Sequence, residues 1–211
     1  MVLNVSKTKT ICIVSKQKLC TSSDETFDIS INGHQINESQ CEKVLGVFVD
    51  ATFSWTEHIN HIIKRVNSSL ALLRRIKKYL NHKTIIMFYN AYILPHLDYC
   101  CSIWGDCSKY LLESLLKITK RAARIILDEH DLKKQSSELF RECGIVSITK
   151  STLYHKALLM YKSKNELAPE YLSNLIVSAN NKESCDTRFS SSSLFRNQIL
   201  NCTNQVFLLM G

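Results

Sequence analysis

Ten cations set the first chemical possibility. Lys117, Lys120, Arg121 and Arg124 recur at i, i+3, i+4 and i+7, which places four positive charges along one face of a helix. Lys64, Arg65, Arg74, Arg75, Lys77 and Lys78 form a second set, largely off the apolar stripe of the same segment. The formal net charge is +8, and it is concentrated: residues 1–54 carry −1, residues 55–128 carry +7 and residues 129–211 carry +2. Such a concentration attracts polyanions by counterion release and favours nucleic acid or an anionic surface as partner. On charge alone, a solvated face that keeps the protein soluble explains the pattern equally well.

Catalytic chemistry is harder to assemble. No Gly-rich phosphate loop exists, because neither Gly46 nor Gly105 has glycine partners at useful spacing. Metal-dependent phosphoryl transfer needs carboxylates converging on paired cations. Asp50, Asp98 and Asp106 lie singly, and Asp128, Glu129 and Asp131 sit at a helix end where a solvated loop is their expected home. The best metal-like cluster is His96, Cys100, Cys101 and Cys107, but its spacing lacks the two close ligand pairs of zinc sites, and small buried hydrophobes are the preferred reading. His58 and His61, at i and i+3, read as surface or interface histidines rather than ligands.

These residues need elements to hold them. The first fifty residues read as strands: Thr10–Val14, then Phe27–Ile31 with period two, then Asn32-Gly33 as a type I′ turn and a return strand His34–Asn37. Lys43–Asp50 is apolar nearly throughout and reads as one strand buried on both faces, with Gly46 marking a bulge or close approach. Lys16–Glu25 is a polar loop. After Asp50 the period becomes helical. Ser54 to Glu57 has capping-box spacing, and Ile59, Ile62, Ile63, Val66, Leu70, Leu73 and Ile76 form one stripe of a helix reaching about Leu80. Asn81 caps the next helix, with Ile85, Phe88, Tyr89, Tyr92 and Leu97 in pattern, a kink at Pro95 and a left-handed stop at Gly105. Ser108 opens a third helix, with Leu111, Leu112, Leu115, Ile118, Ala122, Ile125 and Ile126 inward. Helices near Ser137–Cys143 (stopped by Gly144), Thr149–Lys164 and Pro169–Ile176 follow. The fold class is α+β: a small antiparallel sheet, then a predominantly α bundle. The divisions are 1–53, 54–177 and a polar, Ser-rich, poorly ordered tail at 178–211 that ends in the apolar Val206–Met210.

Composition limits the class further. The chain has 211 residues and is 45% hydrophobic and 22% charged, enough to fill a core and against wholesale disorder. Five Gly and two Pro disfavour turn-rich sandwiches. No apolar run approaches the roughly 18 residues of a membrane span. The polar start, Met1–Thr10, does not read as a signal peptide, and nine cysteines without an export signal point to reduced thiols. The expectation is a soluble intracellular protein with no membrane partner, nuclear or cytoplasmic.

Several stretches, in order, resemble one family. Leu3-Asn4-Val5-Ser6-Lys7-Thr8-Lys9 resembles the Asn-x-x-Lys-Thr segment near the end of the palm in non-LTR (LINE-type, jockey-like) retrotransposon reverse transcriptases. Val44-Leu45-Gly46-Val47, followed by Asp50, Phe53, Trp55 and His58-Ile59, is similar to the family's stretch joining the last palm strands to the thumb. Tyr89, Leu94-Pro95, Leu97, Tyr99, Trp104-Gly105 and the run Lys120–Ile126 match the following helical region, and the likeness continues through Leu139-Phe140 to Ala168-Pro169, Tyr171 and Leu172. It covers about residues 3–176. The family's Tyr-x-Asp-Asp pair, which binds the catalytic metals upstream of the Asn-x-x-Lys-Thr segment, does not occur in the sequence.

The resemblance therefore implies an inactive fragment of an RNA-directed DNA polymerase: a palm end at 1–53, a thumb-like bundle at 54–177, and no upstream palm or fingers. It implies no cofactor here, with magnesium belonging to the complete polymerase. The implied partner is a duplex, RNA/DNA or DNA, bound without sequence preference through Lys64, Arg65, Arg74, Arg75, Lys77, Lys78, Lys117, Lys120, Arg121 and Arg124. Lys7 matches the family's palm lysine near the incoming nucleotide, and Val44–Asp50 would lie near the primer end. Tyr79 is a candidate for stacking on bases, whereas Trp55, at the helix entry, reads as core. The alternatives are a helical protein-interaction module and a non-functional retroelement remnant that barely folds.

Overall fold

The computed structural model describes residues 4, 7–14, 29–31, 33–129, 131 and 133–175. The expected loop at 16–25, the first half of the strand at 27–31, Asn32 and the tail from 176 lie outside the described residues. The chain is α+β and predominantly α. Two separate two-stranded antiparallel sheets precede the helices: β1 (Ser30–Ile31) with β2 (His34–Gln35), and β3 (Cys41–Val44) with β4 (Val47–Asp50). Two compact units form, one of them Trp55–Tyr161.

The β1–β2 register pairs Ile31 with His34 across a two-residue connection, and Gly33 takes φ +75° as expected of such a turn. Thr10–Val14 is not a strand. It makes an isolated parallel bridge from Thr10 to Glu38, and the Val14 N–H donates to the Ala51 carbonyl at 3.0 Å, so no ladder propagates along it. Lys43–Asp50 is also corrected. It is not one strand but a hairpin, because Leu45 and Gly46 both take positive φ, 47° and 92°. That is a type I′ turn, and it pairs Val44 with Val47. Only Val47 of β4 is buried, and Leu45 stands 88% exposed at the tip. Leucine in the left-handed region costs about 1 kcal/mol. Leu45→Asn, which restores the preferred Asn-Gly pair, is therefore expected to raise stability by roughly 0.5–1 kcal/mol; urea denaturation midpoints would show it, and an unchanged or lower midpoint would contradict the turn assignment.

The residue that immediately precedes the long helix is Trp55 rather than Ser54, and its side chain makes no capping bond. The Ser54 hydroxyl donates to Asp50 Oδ2 at 3.0 Å, while the Ser54 and Thr52 N–H groups donate to Asp50 Oδ1 at 2.8 and 3.0 Å. Asp50 thus anchors the turn that leads into the helix. Burial alone would raise the Asp50 carboxyl, but these hydrogen bonds outweigh it and hold the group below its ordinary value. Helix α1 (Thr56–Ile76) starts one residue late behind Trp55, which is buried and left-handed at φ 63°. Of its stripe, Ile59, Ile62, Val66, Leu70 and Leu73 are buried, Ile63 and Ile76 are half-buried, and the last turn tightens into a 3₁₀ segment, Lys77–Tyr79.

Asn81 caps α2 (His82–Tyr92): its Oδ1 accepts from the Thr84 N–H at 2.8 Å. Pro95 breaks this helix rather than kinking it. The chain restarts as α3 (Leu94–Asp98) with Pro95 in the first turn, where its missing N–H leaves no helical bond unmade. Tyr92, expected in the apolar pattern, is 58% exposed. α4 (Cys101–Trp104) follows a left-handed Cys100. Gly105 is not a left-handed stop, since its φ is −69°. Glycine is needed there for a different reason: a Cβ would lie 2.2 Å from the Thr152 methyl carbon and 2.4 Å from the Cys101 carbonyl oxygen.

α5 (Lys109–Leu127) follows Ser108, whose side chain makes no capping bond, and buries Leu111, Leu115, Ile118, Ala122, Ala123, Ile125 and Ile126. It packs on α1 and on α6 (Ser136–Cys143). The fully buried Ala122 and Ala123 leave room for that approach, and the Cys143 thiol reaches the Ala123 carbonyl at 3.5 Å. Gly144 ends α6 at φ 66° as expected. α7 (Ile148–Lys164) and α8 (Glu170–Leu175) complete the described helices. Among the described residues, no helix is long and apolar enough to cross a membrane.

Candidate nucleic-acid interface

At 3.6 residues per turn, Lys64, Arg75 and Lys78 fall opposite the buried stripe of α1, with Asn67 and Arg74 on one shoulder. Lys64, Arg65, Arg74, Arg75 and Lys78 are all exposed. On α5, Lys117 and Arg121 are exposed while Lys120 and Arg124 are half-buried, all turned from the side that carries Leu111, Leu115 and Ala122. The Arg121 guanidinium donates to Asn67 Oδ1 at 3.3 Å. That bond sets the shoulders of the two cationic faces side by side. Asn67 was missed in the sequence; its offset of three from Lys64 is the signal that could have found it.

Lys77 differs from the other nine. Its ammonium donates to the Ile125 carbonyl at 3.2 Å and to the Asp128 carboxylate, so it caps the C-terminus of α5 and is half-buried. Its charge is engaged at the end of α5, by a main-chain carbonyl and an exposed carboxylate. Tyr79 is 77% exposed, with the Lys78 ammonium 4.7 Å from its ring centroid, an arrangement open to stacking.

The acidic groups are drawn into other bonds. Asp106 pairs with Lys156 at 2.5 Å, Glu129 with Lys134 at 3.2 Å, and Asp98 accepts from the Ser151 hydroxyl at 2.6 Å. Among the described residues, carboxylates that would hold a magnesium pair are not brought together. His96, Cys100, Cys101 and Cys107 do not gather as a site either. His96 is exposed, and Cys101 lies instead with Asp98 and His155. His58 is not on the surface. It is 3% exposed, edge-on to Trp104 with ring centroids 5.7 Å apart, and burial together with the charge of His61 lowers its imidazole to about 4.

The chain is 25% identical over 129 residues to a probable RNA-directed DNA polymerase from transposon X-element of Drosophila melanogaster, a match of 59% of this chain and 13% of that protein. It is 28% identical over 115 residues to the retrovirus-related Pol polyprotein from type-1 retrotransposable element R1 2 of Nasonia vitripennis, covering 52% of this chain and 28% of that one. This chain is a distant relative of retrotransposon RNA-directed DNA polymerases. An uncharacterized Caenorhabditis elegans protein is also similar, at 25% identity over 101 residues and 44% of its length. The matches thus span under half the length of each of these curated relatives. No family model matches the sequence, and no solved structure matches it.

Proposed function

We propose that this chain supplies the duplex-holding, thumb-like part of a retrotransposon RNA-directed DNA polymerase of non-LTR type, with residues 1–53 as the end of the palm. The magnesium-dependent chemistry belongs to carboxylates of the complete polymerase, not to those described here. The observation that carries the reading is the pair of cationic faces on α1 and α5, each opposite a buried stripe and joined at the shoulder by Arg121 and Asn67. Cations presented this way contact phosphates and carry no sequence information. Lys64, Arg65, Arg74, Arg75, Lys78, Lys117 and Arg121 are the exposed contacts, with Lys120 and Arg124 reaching from half-buried positions and Lys77 steadying α5 beneath them. The distant kinship to retrotransposon polymerases supports the same assignment from a separate direction.

The test is fluorescence anisotropy of labelled RNA/DNA hybrid and DNA duplexes, each in two unrelated sequences, titrated at increasing salt. Affinity should fall steeply, by about a thousandfold or more between 50 and 200 mM salt if six or more phosphates are contacted. Arg121→Glu with Arg124→Glu should weaken binding equally across sequences and flatten the log–log salt slope by about two. Lys117→Glu with Arg121→Glu, both exposed, repeats the test where the half-buried Arg124 affects folding. Binding that ignores salt and these substitutions, or a loss confined to one sequence, would overturn the proposal.

A further inference from the structure

The unit Trp55–Tyr161 brings together three potential ligands that the duplex-holding role does not use. The donor atoms of Asp98, Cys101 and His155 all lie within 4.8 Å of one another. They come from three helices: Asp98 ends α3, Cys101 begins α4 and His155 sits in α7. Asp98 and Cys101 are only three apart, and the left-handed Cys100 between them (φ 52°) turns the chain at that point. Ser151 and His155 are one turn apart on α7, so both reach Asp98 from the same face.

We propose that Asp98, Cys101 and His155 bind a zinc-type divalent ion that clamps α3 and α4 to α7. A thiolate, an imidazole and a carboxylate are the mixed donor set that zinc accepts and that magnesium does not. Tetrahedral zinc holds such atoms about 3.3–3.6 Å apart, so the cluster closes by up to about 1.5 Å. The support around the ligands is in place. The Ser151 hydroxyl donates to Asp98 Oδ1 at 2.6 Å, which fixes the carboxylate as outer partners of metal ligands do.

A buried polar group without a partner lies on the helix that precedes α3. The Tyr89 hydroxyl is buried and has no hydrogen-bond partner in the protein, and Asp98 is close enough to add to the effect of burial in raising its phenol above the ordinary range. The ion closes the site with three protein ligands and one exchangeable position.

The test uses the full chain, reduced, titrated with Co²⁺ alone and then with Zn²⁺ as competitor. One equivalent of Co²⁺ should give a thiolate charge-transfer band and the strong visible bands of a four-coordinate ion, both displaced by Zn²⁺. Cys101→Ser should abolish the charge-transfer band, His155→Gln should weaken uptake at least tenfold, and Ser151→Ala should weaken it about tenfold or more. Cys100→Ser, outside the cluster, should leave the spectrum intact. Should Cys101→Ser fail to fold, His155→Gln carries the result, because that side chain is half-buried. No thiolate band in the wild type, or the same band and affinity in Cys101→Ser or His155→Gln, would overturn the assignment.

Discussion

Trp104→Ala is expected to destabilise the helical unit by about 3–5 kcal/mol, the largest effect of any single truncation here. The indole is completely buried, its Nε1–H donates to the Tyr99 carbonyl at 2.9 Å, and its edge meets the His58 ring. Truncation removes the transfer free energy of a large aromatic, opens a cavity beside an imidazole and leaves the Tyr99 carbonyl without that donor. Total stabilities are about 5–15 kcal/mol, so the variant keeps only part of its folded margin. For a chain of this size a loss of that order lowers Tm by about 10 °C. Trp104→Phe, which fills most of the space but lacks the N–H, should fall between the two. Helical circular dichroism followed through urea and thermal unfolding measures both variants. A loss under about 1 kcal/mol in Trp104→Ala would mean that the residue is not packed as described.

His58 makes the second large prediction, and its sign follows from linkage. Its imidazole is lowered from 6.5 to about 4 in the fold, chiefly by burial and then by His61, so the folded chain holds it neutral. Above pH 6.5 both folded and unfolded chains carry it neutral, and its stabilising effect is fully present. As pH falls from 6.5 towards 4 the unfolded chain takes up the proton first, and stability is lost across that window. The loss is on the order of 3 kcal/mol once pH has passed below the folded value. Carboxylates also titrate near its lower end, so the measurement is a double difference: wild type against His58→Gln, by urea denaturation at pH 7 and pH 4.5. The wild type should lose on the order of 2–3 kcal/mol more than the variant between those two conditions. Equal losses would show that the imidazole is not held neutral by its surroundings.

Much of the helical architecture was legible because it rests on local rules. The stripe from Ile59 to Leu73 repeats at three and four, Asn81 has the right side chain one position ahead of a helix, and Gly144 supplies the left-handed stop. What failed depended on competition or on distance. Ser54 opens a capping-box spacing in sequence, but the helix starts behind Trp55, and the Ser54 hydroxyl donates to the Asp50 carboxylate four residues back. The Leu45-Gly46 turn was hidden because leucine seldom accepts positive φ, so an apolar run read as one strand. His58 sits on the shoulder of the α1 stripe, and its burial comes from Trp104 on α4, which no local period reveals. The candidate interface was legible as charge pattern, since helical spacing alone sorts Lys64, Arg75 and Lys78 from the core. The internal engagement of Lys77 was not, because its partners Ile125 and Asp128 end a helix far along the chain.

Gly105 has a consequence for how this sequence tolerates change. Where a Cβ would meet the Thr152 methyl carbon at 2.2 Å and the Cys101 carbonyl oxygen at 2.4 Å, no side chain can be accommodated by rotating away, since one obstacle is main chain. Mutational drift therefore has no small step available at this codon, unlike at the exposed cationic positions, where exchanges cost little fold. Among related copies of this chain, a residue other than glycine at 105 would mark a lineage no longer selected for a folded product. Copies that retain the glycine while their third codon positions vary would mark lineages in which the folded chain is still being used.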